Sequence, residues 1–390
     1  MGIRVKNPGE GPEMRERAAR LCRDYLHGAW KSITPKDIVL KRISGGLSNW
    51  LYHVSLPTSL SPKGSEPSQI LLRLYGQIHG ERALEGLITE SVIFTLLSER
   101  HLGPKLHGIF PGGRIEEYIP ARALHSSELS NSIISPLIAE KMAQVHLMNV
   151  PISKEPRWLW DTIDRWLKNV EANLDNVEDI KPSDLPFIQK IKSYNLKSEA
   201  QWLKKFLTKV QSPVVFCHND LQEGNILLLN GDLLNEKSED TRLVLIDFEY
   251  CSYNYRGFDM ANHFIEWMYD YTNPEHPYFS VRHKHYPTKE QQLLFIRSYL
   301  RALRKEQERL NINSEEELAL LHEVHAFTLA SHFFWGLWSS VNARISSISF
   351  GYWEYAVERL ESYFFWKNAL KNNSPIVELP VKRKLDDMEG

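Results

Sequence analysis

Near the middle of the chain, two short apolar runs each end on acids. Val214–Phe216 leads into His218-Asn219-Asp220-Leu221-Gln222-Glu223-Gly224-Asn225, and Leu243–Ile246 ends on Asp247-Phe248-Glu249, 27 positions after Asp220. Runs of this length bounded by turn residues predict strands, here with the turn Asn230-Gly231-Asp232 after a further run, Ile226–Leu229. From Pro120 onward the rest has helical spacing. Helices are predicted over Ile133–Met148, Trp158–Leu167, Glu199–Val210, Lys289–Glu308, Ser314–Ala343 and Tyr352–Asn368. Few architectures place a small acidic β-centre inside a helical body.

The first third has the opposite balance. Ile38–Ile43 and Trp50–Leu56 flank Ser44-Gly45-Gly46-Leu47-Ser48-Asn49, and a third strand-like run follows at Ile70–Tyr75. A helix is predicted over Glu81–Arg100, stopped by Gly103-Pro104, and Lys105–Phe110 with Arg114–Ile119 brackets Pro111-Gly112-Gly113 as a second hairpin. The expected class is α+β, with a β-rich N-terminal lobe over 1–119 and a mainly helical C-terminal lobe over 120–390. The tail from about 370, with Lys382-Arg383-Lys384 ahead of Asp386, Asp387 and Glu389, reads as solvated and disordered.

Asp220 and Asn225 are five apart, the D-x-x-x-x-N spacing of a phosphoryl-transfer loop, and Asp247 ends a strand where a metal-binding acid would sit. Phosphoryl transfer asks a protein for positioning and charge neutralisation: an acid near the acceptor hydroxyl, and oxygen ligands for the metal on the phosphates. Alone, Asp-x-x-x-x-Asn is a common loop. The leading strand, the His and the second Asp make it specific. Asn219 stands where protein kinases carry Arg, Glu249 replaces Gly after Asp-Phe, and no Ala-Pro-Glu follows, so a peptide acceptor is disfavoured. Arg73 on the third strand and Glu90 on the next helix are the candidate phosphate-directed cation and the acid that holds it, with Glu117 and Ile119 in the connection expected to meet adenine.

Bulk properties exclude several classes. With 47 basic and 49 acidic residues there is no basic field for nucleic acid. Cys22, Cys217 and Cys251 have no metal-ligand spacing and suit reduced thiols of a cytoplasmic protein. No apolar stretch follows Arg4 and Lys6, so no signal peptide is expected. The uncharged stretch 326–343 is interrupted by Thr328, Ser331, His332, Ser339, Ser340 and Asn342, which predicts a buried core helix rather than a membrane span.

Together these residues resemble the choline/ethanolamine kinase family from about Ala18 to Trp366. The carrying segments are Ile43–Asn49, Leu71–Gly76, Val215–Leu227, Asp247–Tyr250, Tyr253–Asp259 and His332–Trp338. The resemblance implies a two-lobed protein-kinase-like fold using ATP and Mg²⁺. It implies Asp220 as catalytic base, with Gln222 placed in the catalytic set and Asn225 and Asp247 as metal ligands. Ser44, Gly45, Gly46, Leu47, Ser48, Asn49, Arg73, Glu90, Glu117, Ile119 and Asp247 fall to the nucleotide. It further implies choline as acceptor, ethanolamine as a secondary one, a place in phosphatidylcholine synthesis, and a homodimer. Asp220–Asn225 and Glu266–Tyr271 are similar to the choline branch, whereas Glu117 departs from the Gln that relatives often carry.

Choline carries a quaternary ammonium that offers no N–H, so aromatic faces and nearby carboxylates are its natural partners. Trp335 and Trp338, at i and i+3, share one helix face. An aromatic stripe at helical spacing is ordinarily core packing; the resemblance assigns these two, with Tyr271 and Tyr355, to the acceptor site, with Tyr250, Glu249 and Glu266 as neighbours.

Overall fold

The computed structural model describes residues 3–4, 9–43, 49–75, 77–78, 82–175, 181–229, 243–306, 313–346 and 348–371. Ser44 to Ser48, the turn Asn230–Asp232 and the tail beyond 371 lie outside the described residues. Contacts divide the chain into two units, residues 1–122 with 227–249, and residues 123–226 with 250–390. The strand segment carrying Asp247 thus joins the first unit.

The first unit is built on a five-stranded antiparallel sheet in the order Val39–Ile43, Asn49–Ser55, Gln69–Tyr75, Gly113–Glu117, Leu106–Phe110. Alternation sets its faces. Leu40 pairs with Val54, Val54 with Ile70, and Leu72 with both Tyr52 and Ile115. All of these are buried in one core with Met14, Ala18, Ala19 and Cys22 of helix α1 (Pro12–Tyr25) and with Trp30. Each large aliphatic side chain among them contributes about 1.5–3 kcal/mol by leaving water. Arg73 lies between Leu72 and Leu74 and therefore takes the other face. Helix α2 (Arg82–Glu99) ends where His101 turns left-handed at φ 56° and Leu102 donates its N–H to the Leu97 carbonyl at 2.9 Å, just ahead of the predicted Gly103-Pro104 stop.

Eight helices are described in the second unit: α3 (Ile134–His146), α4 (Arg157–Asp175), α5 (Leu185–Ser193), α6 (Leu196–Leu207), α7 (Arg256–Glu266), α8 (Lys289–Glu306), α9 (Ser314–Ile345) and α10 (Tyr352–Lys371). The 32-residue α9 starts on Asn313, whose Oδ1 accepts from Glu316 N–H at 2.8 Å, with three acids in the first turn facing the positive end of the helix dipole. Helices α4, α7 and α10 all pack on α9, which accounts for its uncharged stretch. Among the described residues no helix is long and apolar enough to cross a membrane. The antiparallel pair Val214–Cys217 with Ser252–Tyr255 carries the chain into His218.

Helices α1, α5 and α7 are absent from the sequence expectations. The case of α7 is instructive. Arg256, Asp259, His263 and Glu266 follow at spacings of three and four, so this helix, buried from Gly257 to Glu266, carries a polar stripe where an apolar one would be expected. The three cysteines are buried free thiols.

Gly113 opens the fourth strand with its Cα so placed that an added Cβ would lie 2.2 Å from the Arg73 carbonyl oxygen and 2.7 Å from the Phe110 ring. Gly113→Ala is expected to lower unfolding free energy by about 1–3 kcal/mol, the range for overpacking. Urea denaturation checks this, with an unchanged midpoint counting against the packing account.

Candidate active site

In the second unit, the segment after Val214–Cys217 is fixed by backbone and side-chain hydrogen bonds at every step. Asp259, on α7, accepts the His218 N–H on Oδ2 at 2.9 Å and the Asn219 N–H on Oδ1 at 2.7 Å. Asn219 adopts φ 67°, a left-handed conformation that Asn tolerates better than Arg would. Its Nδ2 donates to the Tyr250 carbonyl at 2.8 Å and Ser252 Oγ at 2.9 Å, while its Oδ1 accepts from Asn254 Nδ2 at 2.8 Å. The substitution of Arg by Asn noted from the sequence thus has a backbone reason.

Asn225 Nδ2 donates to the Asp220 carbonyl at 2.7 Å and to Asp220 Oδ2 at 3.0 Å, so the five-residue spacing closes a clamp on the acid. With its amide nitrogen so engaged, Asn225 has Oδ1 as its acceptor, an oxygen donor suited to a hard cation. Gln222 Oε1 accepts the Gly224 N–H at 2.7 Å and caps the turn Glu223–Asn225. Glu223, not singled out from the sequence, is buried. Burial foremost, and the charge of Glu266 next, push its carboxyl up to about 8, while the Tyr271 N–H pulls the other way.

The aromatic residues expected around an acceptor converge in the same unit. Trp335 and Trp338 stand 5.5 Å apart at 74°, Tyr250 meets Trp335 edge-on at 5.3 Å, and Tyr355 lies 6.5 Å from Trp338 and 6.2 Å from Tyr271. Polar bonds set their tilt: Trp335 Nε1 donates to Asn262 Oδ1 at 2.7 Å and Trp338 Nε1 to Tyr250 Oη at 3.0 Å. Glu266 accepts the Tyr271 hydroxyl on Oε2 at 2.7 Å and Arg359 Nη1 on Oε1 at 3.0 Å. Asp220 is close enough for its charge to act on Tyr355, whose hydroxyl is raised first of all by burial.

In the first unit, Arg73 lies directly opposite Arg114 across the Gln69–Tyr75 and Gly113–Glu117 pair. Two cations there would repel. Glu116 resolves this, since its Oε1 accepts from Arg73 Nε at 2.8 Å and from Arg114 Nε at 2.6 Å. Burial alone would raise the Glu116 carboxyl, but the two guanidiniums hold it below the usual range. Glu90 pairs with Arg114 rather than with Arg73, which corrects the expectation that the α2 acid holds the third-strand cation: Glu116 takes that place and joins the two arginines. Arg73 Nη1 also approaches Asp247 Oδ1 at 3.7 Å. Asp247 has φ 63°, and its side chain stays one-third exposed, which leaves it accessible to a metal. Asn49 begins the second strand, Glu117 ends the fourth with its Oε2 accepting the Lys105 N–H at 3.0 Å, Ile119 is half-buried, and Glu249 lies exposed in the turn Phe248–Tyr250.

Asp259 belongs to a motif recognised in the sequence but had no role there. A buried His146, Cys217 and Asp259 group lies behind the loop, its atoms engaged in hydrogen bonds: His146 Nε2 to Asp259 at 2.9 Å and Cys217 Sγ to the Asn254 carbonyl at 3.5 Å. Burial favours protonation of Asp259, yet the His146 bond and the charges and N–H of the loop hold its carboxyl below the ordinary value. The associated stability is therefore full above the unfolded value near 4 and is lost as pH falls through the lowered folded value. Asp259→Asn is expected to cost about 3–5 kcal/mol at pH 7, as when one partner of a buried pair is removed. In chemical denaturation across pH, the gap from the wild type should narrow below about pH 4; a gap constant from pH 3 to 7 would overturn the assignment.

The profile of the choline/ethanolamine kinase family matches residues 40–364. A human choline/ethanolamine kinase is 49% identical over 360 residues, covering 92% of this chain and 87% of that protein. The rat choline/ethanolamine kinase is 48% identical over 363 residues, covering 92% and 88%. The crystal structure of choline kinase from Cryptosporidium parvum superposes with a TM-score of 0.71 at 28% identity, covering 93% of this chain and 97% of that one. With the loop clamp, the aromatic cluster and the paired arginines all carried on matched residues, the chain belongs to the choline/ethanolamine kinase family.

Proposed function

We propose that this chain transfers the γ-phosphoryl group of ATP to the hydroxyl of choline, the first step toward phosphatidylcholine, with ethanolamine as a secondary acceptor. The observation that carries the choice of acceptor is the state of Glu266. Each of its oxygens already holds one donor, Arg359 on one and Tyr271 on the other, which leaves only part of its acceptor capacity for a ligand. Glu223, the other acid beside it, is pushed toward its neutral form by burial. A primary ammonium would need acceptors for its N–H groups, whereas a trimethylammonium needs π-faces, which Tyr250, Trp335, Trp338, Tyr271 and Tyr355 supply. Ethanolamine then binds more weakly.

Asp220 takes the proton of the hydroxyl, oriented by the Asn225 clamp, while Asp259 holds the loop backbone still. Asp247 and Asn225 supply the oxygen ligands that would hold Mg²⁺, which neutralises charge on the transferring phosphates. Arg73, fixed by Glu116 and permanently charged, is the cation for the α- and β-phosphates, and residues 44–49 with Glu117 and Ile119 complete the nucleotide contacts. We further infer a cytoplasmic homodimer, which sedimentation equilibrium would distinguish from a monomer.

A coupled assay with choline and ethanolamine side by side tests the reading, and a higher kcat/KM for ethanolamine would reverse it. Asp220→Asn is expected to lower turnover by about 100-fold or more with ATP affinity within about twofold, since a general base contributes 10²–10⁴. Retention of a tenth of wild-type turnover would remove the base assignment. Trp338→Phe keeps most apolar volume but weakens the π-face, so a loss of about 1–2 kcal/mol should raise the choline KM about 5–30-fold and leave the ATP KM in place. Equal rises for choline, ethanolamine and ATP, tracking a fall in melting temperature, would make Trp338 a packing residue.

A further inference from the structure

Holding Asp220 in place requires that Asp259 itself be held, and a buried carboxylate on a helix has several rotamers open to it. Behind Asp259 two further side chains follow in hydrogen-bonded order. His146, the last residue of α3, bonds Asp259 Oδ2 through Nε2 at 2.9 Å and the Tyr299 hydroxyl through Nδ1 at 2.8 Å. Tyr299 lies on α8, where the charge of Arg256 at the start of α7 acts on it, while the hydrogen bonds of the Arg256 side chain go to α9. Arg256 donates through Nε and Nη2 to Glu323 of α9 at 3.2 and 2.5 Å. Ser212 gives its hydroxyl to Glu323 at 2.7 Å and accepts the Gly257 N–H at 3.1 Å, a separate group that fixes the start of α7.

One assignment of hydrogens satisfies every member. A carboxylate only accepts, so the hydrogens run toward Asp259: in a neutral His146 ring Nδ1 accepts the Tyr299 O–H. Nε2 of His146 then carries the hydrogen given to Asp259, whose remaining acceptor capacity meets the His218 and Asn219 N–H groups. The donors point one way, from the Tyr299 hydroxyl through His146 to the Asp259 anion, and each bond polarises the next among three buried side chains.

We propose that Tyr299 and His146 are positioning residues for phosphoryl transfer, locking the Asp259 carboxylate, and through it the backbone ahead of Asp220, in one orientation. The proposal rests on the reading of Asp220 as the catalytic base. Neither residue touches the acceptor cluster, and nothing in the sequence connects them to it: His146 is 113 positions from Asp259 and 153 from Tyr299. Tyr299 is fully buried and also packs edge-on against His146 at 5.4 Å and 73°, so its hydroxyl can be removed while the ring contact is kept.

Tyr299→Phe leaves His146 Nδ1 without its partner, so the ring, and with it the Asp259 carboxylate, loses its fixed orientation. The variant should show kcat about tenfold lower with KM for choline and ATP within about twofold, because substrate contacts are intact while the base wanders. Native-state amide exchange at His218 and Asn219 should quicken about tenfold relative to the neighbouring strand Val214–Cys217, a readout independent of turnover. Tyr363→Phe is the matched control: it removes a buried hydroxyl bonded to Glu199 at 2.8 Å, outside the chain, and should reduce stability while leaving kcat and loop exchange alone. If Tyr299→Phe behaves like Tyr363→Phe, the positioning role is overturned. Should Tyr299→Phe fail to fold, His146→Asn carries the same test, since it takes away the Nε2 bond to Asp259 while keeping a polar side chain beside Tyr299; wild-type kcat and loop exchange in it would overturn the proposal equally. A wild-type protein without turnover on choline would instead remove the reading of the function, leaving the exchange result standing by itself.

Discussion

The Asp259 carboxylate is the constraint on which the second unit turns. It is fully buried, and it is retained as an anion only because two backbone N–H groups of the loop and a histidine ring surround it. Burying a lone carboxylate is prohibitive, so the charge demands its partners as much as they demand it. That mutual requirement brings together α3, α7 and the segment after Val214–Cys217, elements far apart in the chain. It also lets Asn219 hold a left-handed backbone whose cost is of order 1–3 kcal/mol, since the surrounding bonds leave no alternative.

The first unit meets a comparable difficulty with opposite charges. Placing Arg73 across from Arg114 in a sheet would be unfavourable, and the one buried glutamate two residues along the same strand turns repulsion into a shared pair. Removal of Glu116 would leave two buried guanidiniums facing each other, a far larger loss than the net gain the pair provides. Such an arrangement is best understood as orientation: the forked guanidinium of Arg73 is fixed in plane, with Asp247 near one of its nitrogens.

Around the proposed acceptor site, charge is deliberately balanced. Arg359 answers Glu266, and burial suppresses Glu223, so the cluster presents aromatic faces more than acceptors. Tryptophan and tyrosine are suited to this, since each offers a large π-face while its polar atom is tied back to the protein, as with Trp335 on Asn262 and Trp338 on Tyr250. The same bonds fix ring tilt, which decides whether a cation meets a face or an edge.

Local features were legible in the sequence because they depend on neighbours. Strand alternation places Leu40, Val54, Ile70 and Leu72 on one face whatever else the chain does, and Asp220 and Asn225 five apart in a tight turn are bound to meet. The uncharged stretch of α9 could only be comfortable when packed, and the aromatic residues assigned by family resemblance do converge. The pairing of buried charges was decided by tertiary structure. Glu90 reaches Arg114 and leaves Arg73 to Glu116, α7 hides Asp259 and Glu266 in the interior, and His146 of α3, itself bonded by Tyr299 of α8, meets Asp259. A side chain's polarity is written in the sequence, but its partner is set by which groups lose water together, and only the packed fold determines that.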